Sequence, residues 1–347
     1  MENLTLRPRP VDPGARLEQV EIESRALNSN PWGDPTRRRL WVYLPPGYHK
    51  SDQRYPVLWY LAAFTNSGAA AGNWRGFSDN LFQRVERLIL AEKMGPVIVA
   101  APDCFTTLGG NQYINSPGTG AYADYLQEEL VPWVDQHYRT VADRNHRGVF
   151  GKSSGGFGAL NLVMDRPDLW GALASQSGDA AFEWVYRNDF PKVAATLDRY
   201  KGDVAAFIRY FWRAKTPGGS DFLTLMHLCL AATYDPDPND PCSIRLPFNR
   251  HTLEIDEERW GQWMAFDPVA KLPGRIEALK SMRGIYIDCG SRDQYHIHYG
   301  SRRLSRLMAQ HEVEHQYLEF DGTHSNIDHR FDQSLPFLYQ ALSLKAD

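Results

Sequence analysis

The chain has 347 residues, with 42 acidic and 38 basic side chains and 43% apolar residues, so it is long enough to bury a full core without staples. A net charge of −4 argues against a dedicated nucleic-acid binder, which carries a basic excess. No apolar run approaches the roughly 20 residues that span a bilayer, and residues 1–13 are polar and proline-rich, without the apolar core of a secretory leader.

Two strands open the chain, over Glu18 to Leu27 and Arg39 to Leu44, the second closed by Pro45-Pro46-Gly47. Pro56 to Ala62 (PVLWYLA) and Pro96 to Ala101 (PVIVAA) are nearly continuous apolar runs, as expected of strands buried on both faces. A helical pattern over 73–94 lies between them. Tyr122 to Tyr138 reads as an amphipathic helix, with Tyr125, Leu126, Leu130, Val131 and Val134 on one face. Then come a short strand (Arg147 to Phe150), a helix (Ser154 to Met164) and another strand (Trp170 to Ser175). Strands over Gly284 to Asp288 and Val313 to Phe320 alternate with closing helices over 299–310 and 331–344. Strands alternating with helices predict a parallel sheet covered on both faces.

One stretch breaks the rhythm. Asp179 to Asp267 carries helical patterns and two breaker clusters but no buried-strand signal. It holds 14 acidic and 10 basic residues, so its charge of −4 equals that of the whole chain. It reads as an insertion, a cap over the carboxyl edge of the sheet. Its tryptophans Trp184, Trp212, Trp260 and Trp263 either build a core of its own or line a substrate pocket.

The sharpest motif is Gly151-Lys152-Ser153-Ser154-Gly155-Gly156. G-x-S-x-G fits only with Ser153 at its centre, since Ser154 would need a glycine at Lys152. A serine on a strained strand-to-helix turn needs small neighbours two positions either side, and the helix start aims free N–H groups at the reaction centre. The Gly-Lys-Ser triplet also suggests a phosphate-binding loop, but that needs a glycine where His146 stands.

Such a serine needs a base and an orienting acid later in the chain. Phe320-Asp321-Gly322-Thr323-His324 follows the last strand and places His324 as the base. Asp293 lies past Gly290, where the chain can reach over the sheet, whereas Asp288 is still within the strand pattern; Asp293 is therefore the expected acid. His311-Glu312-Val313-Glu314-His315 spells a zinc-protease motif, but zinc chemistry needs both histidines on one helix, and here they straddle a helix-to-strand turn. No metal and no cofactor are expected.

These residues resemble the esterase D and enterochelin-esterase-like branch of the α/β-hydrolases, which also includes S-formylglutathione hydrolases, feruloyl and acetylxylan esterases and mycolyltransferases. The likeness runs through LWVYLPPGY at 40–48, RYPVL at 54–58, YINS at 113–116, AYADY at 121–125 and the serine turn, with Asp293 and His324 where the family has its acid and base. It implies an α/β-hydrolase fold, a mostly parallel central sheet with helices on both faces, as a single domain over 1–347 with the helical cap insertion at 179–267. It implies a serine hydrolase of carboxylic esters with Ser153, Asp293 and His324 as triad. Where the family has His-Gly after the third strand, this chain has Ala62-Ala63. Backbone N–H groups of Phe64 and Ser154 are then the expected oxyanion donors, and Asn66, Tyr113, Trp212, Trp260 and Trp263 the candidate substrate-binding residues. An acyltransferase with the same triad and a non-catalytic binding protein are the rival readings. The expected partner is a small-molecule ester, with neither nucleic acid nor membrane, and a homo-oligomer is left open. Four cysteines (Cys104, Cys229, Cys242, Cys289) without a CxxC pair read as reduced thiols, so a cytoplasmic location is expected.

Overall fold

In the computed structural model, which describes residues 16–240 and 242–343, the apolar runs lie at the centre of an eight-stranded sheet. The reading of residues 1–13 falls outside the described residues. The strands run β1 (Leu17–Glu23), β2 (Arg37–Tyr43), β3 (Val57–Leu61) and β4 (Ile98–Pro102), then a small separate pair, β5 (Asn115–Ser116) and β6 (Gly120–Ala121). They continue with β7 (Arg147–Lys152), β8 (Ala172–Gln176), β9 (Gly284–Gly290) and β10 (Gln316–Phe320). Their order across the large sheet is β1-β2-β4-β3-β7-β8-β9-β10. Only the pairs β1/β2 and β2/β4 are antiparallel; every other neighbour is parallel.

The two-residue period of a strand sends alternate side chains into two cores. Leu58, Phe150 and Tyr286 meet helices α1 (Leu81–Leu90) and α9 (Phe331–Ser343) on one face. Trp59, Val149 and Ile285 meet α2 (Val131–His137), α3 (Ser154–Asp165) and α8 (Ile297–Gln310) on the other. The five residues assigned to one face of the segment over 122–138 are all buried, although a π-helical turn over Tyr125–Leu130 interrupts it.

Two boundaries differ from the sequence reading for local reasons. The first helix starts at Leu81 rather than at 73, because Asn80 caps it: the Asn80 side chain accepts from the Gln83 N–H, and the Gln83 side chain accepts from the Asn80 N–H. The last strand starts at Gln316 rather than at Val313, because Glu312 turns with φ 57° and the Val313 N–H bonds back to the Met308 carbonyl.

The stretch between β8 and β9 is helical, with α4 (Phe190–Asp198), α5 (Val204–Arg213), α6 (Gly219–Tyr234) and α7 (Glu257–Met264). Phe190, Phe207, Tyr234, Trp260 and Trp263 are buried in one apolar cluster there. Among the described residues, no helix is long and apolar enough to cross a membrane.

α3 and β3 pack backbone against backbone. A methyl group on Gly155 would sit 2.0 Å from the Leu61 carbonyl oxygen, and one on Gly151 would sit 2.4 Å from it. Gly155→Ala is therefore expected to cost about 1–3 kcal/mol or more in urea unfolding, through forced backbone shifts. Gly261→Ala, in α7 with open space around it, is expected to stabilise by up to about 1 kcal/mol through helix propensity.

Candidate active site

β7 ends at Lys152 and α3 begins at Ser154, so Ser153 alone turns the chain. Its φ of 56° and ψ of −125° are costly for a residue with a side chain. The turn is held on both sides. The Ser153 N–H donates to the Gln176 carbonyl at 2.9 Å, and the Ser153 carbonyl accepts from the Phe157 N–H at 2.9 Å. The missing side chains of Gly151 and Gly155 admit the Leu61 carbonyl, and that of Gly156 admits Gly178 and Ser175.

Ser153 opens onto a cavity of about 650 Å³ that it shares with His324, Phe64 and Asn66. His324 lies in the loop after β10 and Asp293 in the loop after β9, which are parallel neighbours, so both loops emerge at one edge. His324 Nδ1 is 2.8 Å from Asp293 Oδ2. The His324 N–H donates to Gln294 Oε1 at 3.0 Å, and Tyr295 packs edge-on against the imidazole at 4.9 Å. Burial alone would push the Asp293 carboxyl up. The His324 hydrogen bond and charge, with the Tyr295 N–H at 2.9 Å, outweigh it and hold the group below the usual carboxylate range.

Asp288, the rival acid, is occupied elsewhere. It accepts from Arg330 Nε at 2.9 Å and from the Tyr286 hydroxyl at 3.0 Å, deep in the sheet. The two histidines of the zinc-like motif flank the turn between α8 and β10, with His315 held by Ser305 and the Val313 carbonyl.

The loop after β3 takes its left-handed turn at Thr65, with φ 65°, and not at Ala62 or Ala63, so no glycine is required at those two positions. It is fastened from outside: the Thr65 N–H donates to the Gly109 carbonyl at 2.8 Å, and the Tyr113 hydroxyl to the Ala62 carbonyl at 2.6 Å. Gly109 and Gly110 leave room for the Phe64 ring. The N–H groups of Phe64 and Ser154 donate to no group among the described residues. Asn66 faces the cavity, its amide 3.4 Å from the Phe64 carbonyl.

Four expected substrate contacts lie elsewhere. Tyr113 is buried beneath the loop as its fastener. Trp263 and Trp260 are buried in the aromatic cluster of the insertion, Trp263 against Tyr234 at 5.5 Å and Trp260 at 5.9 Å. Trp212 lies on the surface and donates to the Thr107 carbonyl at 3.1 Å. Packing of the helices between β8 and β9 on one another takes Trp260 and Trp263 away from the cavity. Its contribution to the wall is instead Val185, Tyr186, Phe222, Leu223 and Met226. Sequence reasoning also missed Lys152, Asp179, Gln294 and Tyr295 in the wall. Asp179 carried one usable signal, its place just past a strand at the carboxyl edge.

A family model described as "Putative esterase" matches residues 35–337. An esterase of Mycobacterium tuberculosis is 29% identical over 181 residues, 50% of this chain and 34% of that protein. The endo-1,4-beta-xylanase/feruloyl esterase of Xylanibacter ruminicola is 29% identical over 141 residues, 40% of this chain and 19% of that one. The matched segment thus spans about a third of the first relative's length and a fifth of the second's. Among solved structures, a ferulic acid esterase superposes with a TM-score of 0.61 at 20% identity, covering 94% of this chain and 98% of that one. An S-formylglutathione hydrolase of Agrobacterium tumefaciens gives 0.55 at 15% identity, with 94% and 95% covered. At these identities the superpositions show a shared α/β-hydrolase fold.

Burial raises the Asp288 carboxyl from 3.8 to about 6, against the pull of Arg330. The folded state therefore holds this proton more tightly than the unfolded chain, and the contribution of Asp288 to stability falls as pH rises through that window. Urea unfolding at pH 4, 5, 6 and 7 should show the wild type losing about 2 kcal/mol relative to Asp288→Asn between pH 4 and 6, with the small remainder lost by about pH 7.

Proposed function

The chain belongs to the Esterase family, and from that premise we propose that it hydrolyses carboxylic esters through a covalent acyl-enzyme on Ser153. The observation that carries this reading is the opening of Ser153 and His324 onto one cavity, with Asp293 bonded to the far side of the imidazole. Asp293 fixes the tautomer in which Nδ1 carries the proton and Nε2 is free to act as base. Its depressed pKa keeps it ionised, so it stabilises the imidazolium without taking the proton.

In this mechanism His324 Nε2 removes the proton from Ser153 Oγ as the oxygen bonds to the acyl carbon. Negative charge moves to the former carbonyl oxygen, where the N–H groups of Phe64 and Ser154 receive it. The tetrahedral species collapses, the C–O bond to the alcohol breaks, and His324 returns the proton to the leaving oxygen. Water then repeats the sequence on the acyl-enzyme, releasing the acid and restoring Ser153. Every proton is handled by His324, so the step needs no cofactor.

Turnover of a small activated ester tests the assignment. Ser153→Ala should abolish the burst and lower kcat by about 10⁴-fold or more, and Asp293→Asn should lower it by about 10⁴-fold through the wrong tautomer. Asp288→Asn should leave kcat within a few-fold. Equal losses in the two aspartate variants would overturn the assignment of the acid.

A further inference from the structure

Asp179 lines the same cavity as Ser153 and His324, and the reaction above does not use it. The residue is only 6% exposed, yet among the described residues it forms no ion pair with a lysine or arginine. One oxygen, Oδ2, accepts from the Tyr186 hydroxyl at 2.7 Å and from Gln112 Nε2 at 3.2 Å. Gln112 is itself 3.1 Å from the Tyr234 hydroxyl, so the donors form a fixed platform beneath the carboxylate. The other oxygen, Oδ1, takes no hydrogen bond among the described residues and is absent from the fully enclosed unpaired atoms. It is therefore the oxygen presented to the cavity.

The backbone around Asp179 is held in a costly shape. Ser177 and Ala181 have φ of 43° and 61°, and Gln112 has φ of 54°. The segment is tied at both ends. The Ser177 N–H donates to the Asp288 carbonyl at 2.8 Å, and the N–H groups of Ala181 and Phe182 donate to the Asp267 carboxylate at 2.9 and 3.1 Å. Strain of this kind persists only where its surroundings over-determine it, and a desolvated carboxylate with no lysine or arginine paired to it is costly in an empty site.

Resting on the esterase reading, we infer that Asp179 is a specificity-determining acceptor for a hydroxyl group carried by the ester substrate. A hydroxyl fits better than an ammonium. Lys192 faces the cavity already paired with Asp189 at 2.9 Å, but Lys152 faces it with no ion pair among the described residues. A cationic substrate would meet that lysine, whereas a neutral hydroxyl would not. An ester lacking the hydroxyl leaves Oδ1 desolvated and unpaired, and a site built this way rejects such analogues strongly.

Two matched ester series test the inference: methyl 3-phenylpropanoates and phenethyl acetates. Each carries hydroxyl, methoxyl, aminomethyl or hydrogen at ring position 3 or 4. In wild type, kcat/KM for the hydroxyl compound should exceed that for the hydrogen and methoxyl compounds by about tenfold or more in at least one series. Asp179→Asn, which turns the facing acceptor into a donor, should bring the hydroxyl-to-hydrogen ratio to within about twofold of unity. If that variant does not fold, the wild-type ratios decide alone. No hydroxyl preference in either series, a preference for aminomethyl, or an unchanged ratio in folded Asp179→Asn would overturn the inference. Affinities measured with Ser153→Ala separate the two claims. A hydroxyl preference in binding without wild-type turnover would sink the hydrolytic reading and keep this one; turnover without a hydroxyl preference would do the reverse.

Discussion

The strained turn at Ser153 is the constraint on which the rest of the site depends. A φ of 56° with ψ of −125° costs on the order of 1–3 kcal/mol. Burial of residues 154–164 of α3, which packs on β7 and β8, offsets that cost. The turn also demands that β3 and the start of α3 approach until the Leu61 carbonyl fills the place of two glycine side chains. Once β3 lies beside β7, with β8 on its other side, the loops after β3, β7, β8, β9 and β10 all emerge at one edge. Their residues Phe64, Ser153, Asp179, Asp293 and His324 meet there for that reason.

Three buried aspartates close to this edge show how surroundings set roles. Asp288 is bonded to Arg330 and the Tyr286 hydroxyl, yet burial still raises its carboxyl to about 6. Asp293 is held low by His324 and is fit to orient an imidazole. Burial raises Asp179, and its lowering contacts are the Tyr186 and Gln112 side chains and the charge of His324. Chemically identical groups diverge through partner and dielectric.

Much of this was legible because it is local. The runs PVLWYLA and PVIVAA could only be doubly buried strands, and only one register of G-x-S-x-G fits around Ser153. The choice of Asp293 over Asp288 rested on Gly290 ending the strand, and the structure puts His324 on Asp293. What failed depended on the path of the chain in space. A tryptophan on an insertion helix packs inward or lines a pocket according to how four helices cross, so Trp260 and Trp263 could not be sorted from their spacing. Thr65 in a left-handed turn broke the rule that such turns want glycine, because Gly109 and Tyr113 fasten the loop from outside its own sequence. Asp179 looked like the first residue of an insertion; its partners Gln112, Tyr186 and Tyr234 are distant in sequence.

Acylation at Ser153 is what the proposed hydrolysis requires first. Treating the intact protein with a fluorophosphonate ester and mapping the adduct by peptide mass spectrometry tests it most directly. One phosphonyl group per chain is expected, on Ser153, with labelling abolished in Ser153→Ala and strongly slowed in His324→Ala. An adduct on Ser154 or on another serine, or stoichiometric labelling that survives Ser153→Ala, would contradict it.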